Sequence, residues 1–219
     1  GNGDPYKELK QKSTQEALGL YPDLKELVEK SSDPLLKAVR LAIAGNIIDF
    51  GTMDDFDLTK TIHRVLYQPI AINHIKQFRT DLQQAGRILY MGDNAGETVL
   101  DRILIETMGK PVDYVVKSKP VLNDATREDA VEAGLDKVAH IIESGSDLPG
   151  TLIEETYPDF QRRFWNAEMV IVKGQGNYET MNEVRRPLYF LLQTKCPVIA
   201  QELGVKEKSI ILKYSNLKP

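Results

Sequence analysis

The stretch Ile88-Leu89-Tyr90-Met91-Gly92-Asp93-Asn94-Ala95-Gly96-Glu97 decides the fold. Four apolar residues in a row, without alternation, predict a strand buried on both faces. The polar turn behind them predicts a helix start, with Asn94 as N-cap and Glu97 completing a capping box three positions on. A buried strand that feeds a helix is the opening half of a βαβ unit. The same grammar recurs downstream. Short Val/Ile-rich runs at Val112–Val116, Val138–Ile142, Met169–Val172, Val198–Ala200 and Ile210–Leu212 alternate with helical segments. The pattern predicts an α/β fold with a mainly parallel sheet.

Upstream, the pattern is helical. Lys7 to Leu20 is rich in good helix formers. Asp33-Pro34 reads as an N-cap and a first-turn proline. Behind it, Leu35, Leu36, Val39, Ala42, Ile43 and Ile47 fall at helical spacing. A further helix is predicted over Ile70 to Gln84, and no strand is expected in this part. The expected division is a helical N-terminal part, 1–84, and an α/β domain, 85–219.

Composition excludes several classes. Among 219 residues, 28 Lys+Arg against 32 Asp+Glu give a formal charge of −4, with no basic block, which argues against nucleic acid as partner. Apolar residues at 42% suffice to bury a core, so disorder is not expected. Cys196 is the single cysteine, so no internal disulfide can form. No apolar run reaches the roughly 18 residues that span a bilayer. A cytoplasmic protein without membrane association is expected, of unknown oligomeric state.

Polar clusters follow the strands. In a parallel sheet such loops share one edge, where open α/β sheets bind ligands. Asp93-Asn94 follows the first strand, and Asn123-Asp124 follows the second, just ahead of a cap at Thr126 with Asp129. Two carboxylates and an amide from neighbouring strand ends suit a hard divalent cation. Lys173-Gly174-Gln175-Gly176-Asn177 offers a lysine and glycine N–H groups to a phosphate, and Ser144-Gly145-Ser146 a weaker cradle. Asn46 and Asp49, three apart on one helix face, read equally well as a helix end or as groups closing over the ligand. His63, His74 and His140 are scattered and read as surface or packing residues. Trp165, with Phe160 and Phe164, reads as packing. Arg185-Arg186 reads as an exposed pair, and Cys196 as a buried residue after a helix.

Taken in order, Gly45-Asn46-Ile47-Ile48-Asp49-Phe50, Asp93-Asn94-Ala95-Gly96-Glu97, Asn123-Asp124-Ala125-Thr126 and Lys173-Gly174-Gln175-Gly176-Asn177-Tyr178-Glu179 resemble the domain-of-unknown-function 89 proteins, the damage-control phosphatases. The likeness is to their compact archaeal and bacterial-type members. It implies a three-layer α/β/α sandwich with a helical N-terminal subdomain. It implies a divalent metal (Mn, Mg, Co or Ni) on Asp93, Asn94 and Asp124, and Lys173 beside the substrate phosphate. The implied activity is hydrolysis of small phosphorylated metabolites, sugar phosphates or damaged ones. Compact members carry a further N-terminal helical segment, so the resemblance also implies a somewhat longer protein.

The expected mechanism is metal-assisted attack of water. Haloacid-dehalogenase-type phosphatases place a second Asp two residues after the nucleophile, and here that position is Ala95. Expected catalytic residues are Asp93, Asn94, Asp124 and Lys173. Expected substrate contacts are Asn46, Asp49, Glu97, Asn123, Ser144, Gly145, Gly174, Gly176 and Asn177. Glu97 or Asp129 is expected to orient the metal ligands. Two alternatives are an S-adenosylmethionine-dependent carboxyl methyltransferase and a non-catalytic phosphometabolite-binding protein.

Overall fold

The three-dimensional structure, a computed structural model, describes residues 3–47 and 58–217. Its elements, in chain order, begin with α1 (Lys7–Glu29), α2 (Pro34–Ile47), α3 (Leu58–Tyr67), β1 (Ile70–Asn73) and α4 (Ile75–Gln84). Then come β2 (Ile88–Met91), α5 (Thr98–Met108), β3 (Val112–Val116), α6 (Arg127–Glu132) and β4 (His140–Glu143). The chain continues with α7 (Pro158–Asn166), β5 (Met169–Lys173), α8 (Gln175–Met181), β6 (Pro187–Gln193), α9 (Pro197–Glu202) and β7 (Ile210–Asn216). The strands form one sheet in the order β1-β7-β6-β5-β2-β3-β4. Strands β2 to β6 are mutually parallel, while β7 pairs antiparallel with β6 and parallel with β1.

Residues of β2 alternate between two cores, as a sheet covered on both faces requires. Ile88 and Tyr90 join α2 and α5 on one side; Leu89 and Met91 join Phe160, Phe164 and Tyr178 on the other. This is the expected three-layer arrangement. Helix α2 is buried well beyond its predicted stripe, since Ala38, Leu41 and Ala44 are also inaccessible. Its start is capped as predicted, the Asp33 carboxylate accepting the Leu36 N–H at 3.1 Å.

The structure corrects several expectations. Ile70–Asn73 is a strand rather than the start of a helix, and α4 begins only at Ile75. His74 closes that strand, its N–H donating to Leu212 O and its Nδ1 accepting from Tyr214 N at 2.7 Å. Val198–Ala200 lies in α9, where Pro197 at the first turn favours helix. The strand of this region is Pro187–Gln193, and Cys196 therefore follows a strand, half-buried. The third predicted strand begins at His140, two residues late. Arg186 is buried, donating to Ala167 O at 2.7 Å and stacking 4.9 Å from Phe164. Trp165 is the exposed member of its aromatic trio, while Phe160 and Phe164 fill the core. No helix among the described residues is long and apolar enough to cross a membrane.

Candidate functional site

Strand order reverses between β2 and β5. From β2 the chain proceeds outward to β3 and β4, and from β5 outward to β6. Such a switch point opens a crevice beyond the carboxyl ends of the two strands. Asp93 follows β2 there, and Lys173-Gly174 ends β5. The two segments touch. Gly174 has φ +85, and a Cβ at that position would lie 1.9 Å from Asp93 Oδ2. Only glycine allows both this backbone and this approach.

A backbone bridge joins Asn94 to Asp124. Ala95 N–H donates to Asn123 O at 2.9 Å, and Ala125 N–H to Asp93 O at 2.8 Å. The loops after β2 and β3 are thus held together, and they bring Asp93, Asn94 and Asp124 to one place. The Asn94 amide nitrogen donates to Glu97 Oε1 at 2.9 Å and to Asp93 Oδ2 at 3.3 Å. Glu97 also accepts the Asn94 N–H at 2.8 Å, so the predicted capping box is present too. Thr126 and Asp129 form the second one, with Asp129 also accepting from the buried Lys10 at 2.7 Å.

Beneath this surface lies a sealed ionic cluster. Lys173 is inaccessible, with Nζ donating to Glu97 Oε2 at 2.7 Å and to Asp101 Oδ1 at 2.5 Å. Tyr90 and Tyr114 hydroxyls donate to the two Asp101 oxygens at 2.7 and 2.8 Å. Burial alone would lower the Lys173 pKa, but Asp101 and Glu97 outweigh it and hold the ammonium charged. Asp101 had no place in the sequence reading. Its signal was there: it stands four residues after Glu97 on one helix face, amid apolar neighbours.

Lys117 was also missed. It is buried, donates to Leu148 O at 2.8 Å and to Gly150 O, and lies 3.6 Å from Asp124 Oδ2. Burial lowers its pKa, against the raising effect of Asp124 and Asp93. Asp93 is pushed well up by burial and by the negative charges of Glu97 and Asp124. Burial raises Asp124 to about 6, despite Lys117.

Other predicted contacts are already engaged. The Gly174 N–H donates to Leu191 O, leaving Gln175 and Gly176 to open α8. Asn177 is buried, its amide nitrogen on Lys173 O and Gly92 O and its oxygen accepting from Thr151. Ser144 is buried and accepts from Ser146 N–H, and the Gly145 N–H donates to Ser118 Oγ at 2.8 Å. Asn123 contributes its carbonyl to the bridge described above. Asn46 lies in the last turn of α2, and Asp49 lies outside the described residues.

Four carboxylates (Asp93, Glu97, Asp101, Asp124) share this edge with two buried ammonium groups, Lys117 and Lys173. Lys195 also acts on Asp93 and Lys10 on Asp124, each favouring the ionised carboxylate. Among the described residues no three His, Cys, Asp or Glu side chains form a metal cage. Asp93 and Asp124 supply two carboxylates and Asn94 an amide oxygen, a sparse oxygen set of the kind that suits Mg²⁺ or Mn²⁺ with water completing the shell.

A family model described as the damage-control phosphatase ARMT1-like domain matches residues 1–211. An uncharacterized protein of Methanocaldococcus jannaschii is 38% identical over 216 residues, 93% of this chain and 71% of that one. A damage-control phosphatase of Pyrococcus horikoshii is 34% identical across 100% of this chain and 77% of its own. One of Archaeoglobus fulgidus is 30% identical, covering 97% and 76%. The crystal structure of a DUF89 family protein from Pyrococcus horikoshii superposes with a TM-score of 0.85 at 34% identity, over 97% of this chain and 75% of that one.

Proposed function

This chain belongs to the damage-control phosphatase ARMT1-like (DUF89) family, and from that premise we propose that it is a metal-dependent phosphatase of small, damaged phosphometabolites. The observation that carries the reading is the juxtaposition of Asp93, Asn94 and Asp124, two carboxylates and an amide, at the β2/β5 switch point. The names of the Pyrococcus and Archaeoglobus relatives supply the substrate class.

In this reading Asp93, Asn94 and Asp124 hold the cation, which when bound polarises a phosphoryl group and lowers the pKa of a nearby water. The remaining work falls to the chain itself. Gly174 leaves room for the Asp93 carboxylate at the crevice floor. Glu97 fixes the Asn94 backbone and amide, so the two ligands after β2 cannot swing apart. Lys173 and Asp101 anchor Glu97 from below, a positioning role in place of the direct phosphate contact expected from sequence. Asn177 pins Gly92 to the end of β5 and to Thr151, which fixes the spacing of the two loops. Fixed dipoles and charges of this kind lower the barrier because they need not reorganise during reaction.

The test is hydrolysis of p-nitrophenyl phosphate with Mg²⁺, Mn²⁺, Co²⁺ or Ni²⁺ by wild type and Asp93→Ala. Losing the electrostatic anchor should cost roughly 100-fold or more in kcat/KM. Equal rates would refute the assignment.

A further inference from the structure

Two buried lysines stand at this sheet edge, and their surroundings differ in charge. Lys173 is enclosed with zero exposure between two carboxylates. Its positive charge is over-compensated before any substrate arrives. Lys117 bonds two neutral carbonyls, Leu148 O and Gly150 O, which hold its ammonium without cancelling its charge. An ammonium has three donors. Among the described residues the nearest carboxylate oxygen, on Asp124, forms an ion pair at 3.6 Å, longer than a hydrogen bond.

Its position is equally distinctive. Lys117 lines a cleft of about 460 Å³ between the start of α1 and the β3–α6 loop, whose other charged residues are the cations Lys7, Lys10 and Arg127 and five carboxylates, Asp129 and Glu143 among them. It also lines the small void beside Asp93, with Gly92, Ala125, Ser144 and Thr151. It therefore stands where the outer cleft meets the carboxylates. A phosphomonoester dianion approaching Asp93 and Asp124 meets two negative groups, and Lys117, paired with one carboxylate at 3.6 Å, keeps more of its charge for it than Lys173, which bonds two.

We propose that Lys117 is a phosphate-binding residue of this site, its ammonium holding an oxygen of the phosphoryl group at the junction of the cleft and the void. The proposal rests on the phosphatase reading above. Its backbone serves the same end: Lys117 N–H donates to Ala125 O at 2.9 Å, which ties the lysine to the Asp124 loop. Its side chain reaches 31 and 33 residues ahead to the 148–150 loop, so ligand and loop share one anchor.

The experiment is calorimetric titration of inorganic phosphate, in Mg²⁺, into wild type, Lys117→Met and Lys117→Arg, with thermal melts of all three. Lost charge-assisted bonding should weaken phosphate in Lys117→Met by about 10- to 100-fold, with Lys117→Arg within a few-fold of wild type. Unchanged affinity in Lys117→Met, or no phosphate binding by wild type, would overturn the proposal. So would a loss in Lys117→Met that follows a collapsed melt and is not restored by arginine, since that is the signature of a loop anchor alone. The phosphatase reading is judged separately, by whether wild type hydrolyses p-nitrophenyl phosphate and Asp93→Ala does not.

Discussion

The two ends of the same parallel strands solve the problem of a buried carboxylate in opposite ways. At the amino ends of β2, β3 and β4, Asp113 is buried among three basic side chains. Arg87 lies at 2.9 Å, His140 at 3.1 Å and Arg163 at 3.5 Å, all partly exposed. At the carboxyl ends, Asp93, Glu97, Asp101 and Asp124 share two buried lysines. The first arrangement is satisfied from solvent and asks for nothing further. The second is under-compensated by its buried lysines, and desolvation makes that expensive. A cationic ligand would relieve the second edge and not the first, which is what the proposed cation site requires.

The largest expected effect tests that deficit directly. Lys173→Met removes the buried ammonium that bonds both Glu97 and Asp101. Breaking a buried pair from one side costs about 3–5 kcal/mol, read by urea unfolding with slope and midpoint fitted together. Adding Asp101→Asn should recover part of the loss, because the second variant removes an uncompensated charge. A loss below about 1 kcal/mol for Lys173→Met would mean that this cluster is as solvent-relieved as the one at Asp113.

Next in size is Gly174→Ala. The new Cβ meets the Asp93 carboxylate and a backbone at φ +85 that L residues resist. Displacing Asp93 should lower kcat/KM for p-nitrophenyl phosphate by roughly 100-fold, equivalent to about 2.7 kcal/mol of barrier. Activity within threefold of wild type would show that Asp93 is not held where the reaction occurs. Asp113→Asn is the counterpart at the opposite end. Its partners are partly exposed and rehydrate, so stability should fall by about 1 kcal/mol with phosphatase activity unchanged. A tenfold activity loss there would break the contrast between the two edges.

How much of this was legible in sequence follows from what each residue depends on. Strands β2, β3 and β5 were readable because burial on both faces writes itself as an unbroken apolar run. β1 was not, since Ile70-Ala71-Ile72-Asn73 is an edge strand of alternating, partial burial and too short to stand out from the helix behind it. β6 was obscured by its composition, Leu and aromatics after a proline, which suits a buried helix as well as a strand. Asp93, Asn94 and Asp124 could be grouped because topology alone sends loops after parallel strands to one edge. Lys117 could not, because its burial is created by carbonyls more than 30 residues away. Lys173 was placed at the right strand end, but its partners sit on a helix 72 and 76 residues earlier, so its sealed position was not readable.

The smallest effect probes where backbone strain is stored. Among the described residues, the non-glycine positions with positive φ are Leu122 at 48° and Lys208 at 62°. Leu122 immediately precedes Asn123-Asp124. Lys208 lies beside Thr194, just past the carboxyl end of β6, since its N–H donates to Thr194 O. Both therefore lie at the under-compensated edge, and neither at the Asp113 edge. Leu122 is more than half exposed, in a turn closed by Asp124 N–H on Val121 O at 2.9 Å. A left-handed leucine costs about 1 kcal/mol, while glycine there adds unfolded-state entropy of about 0.5–1 kcal/mol. The two nearly cancel, so Leu122→Gly should shift the melting temperature by no more than about 2 °C. Leu122→Val keeps the strain and adds β-branching, which the left-handed region tolerates worst. It should melt below Leu122→Gly by about 2–4 °C, corresponding to roughly 1 kcal/mol. Identical melts for the two would mean that the turn presenting Asp124 relaxes freely, and that the edge is distinguished by its charges alone.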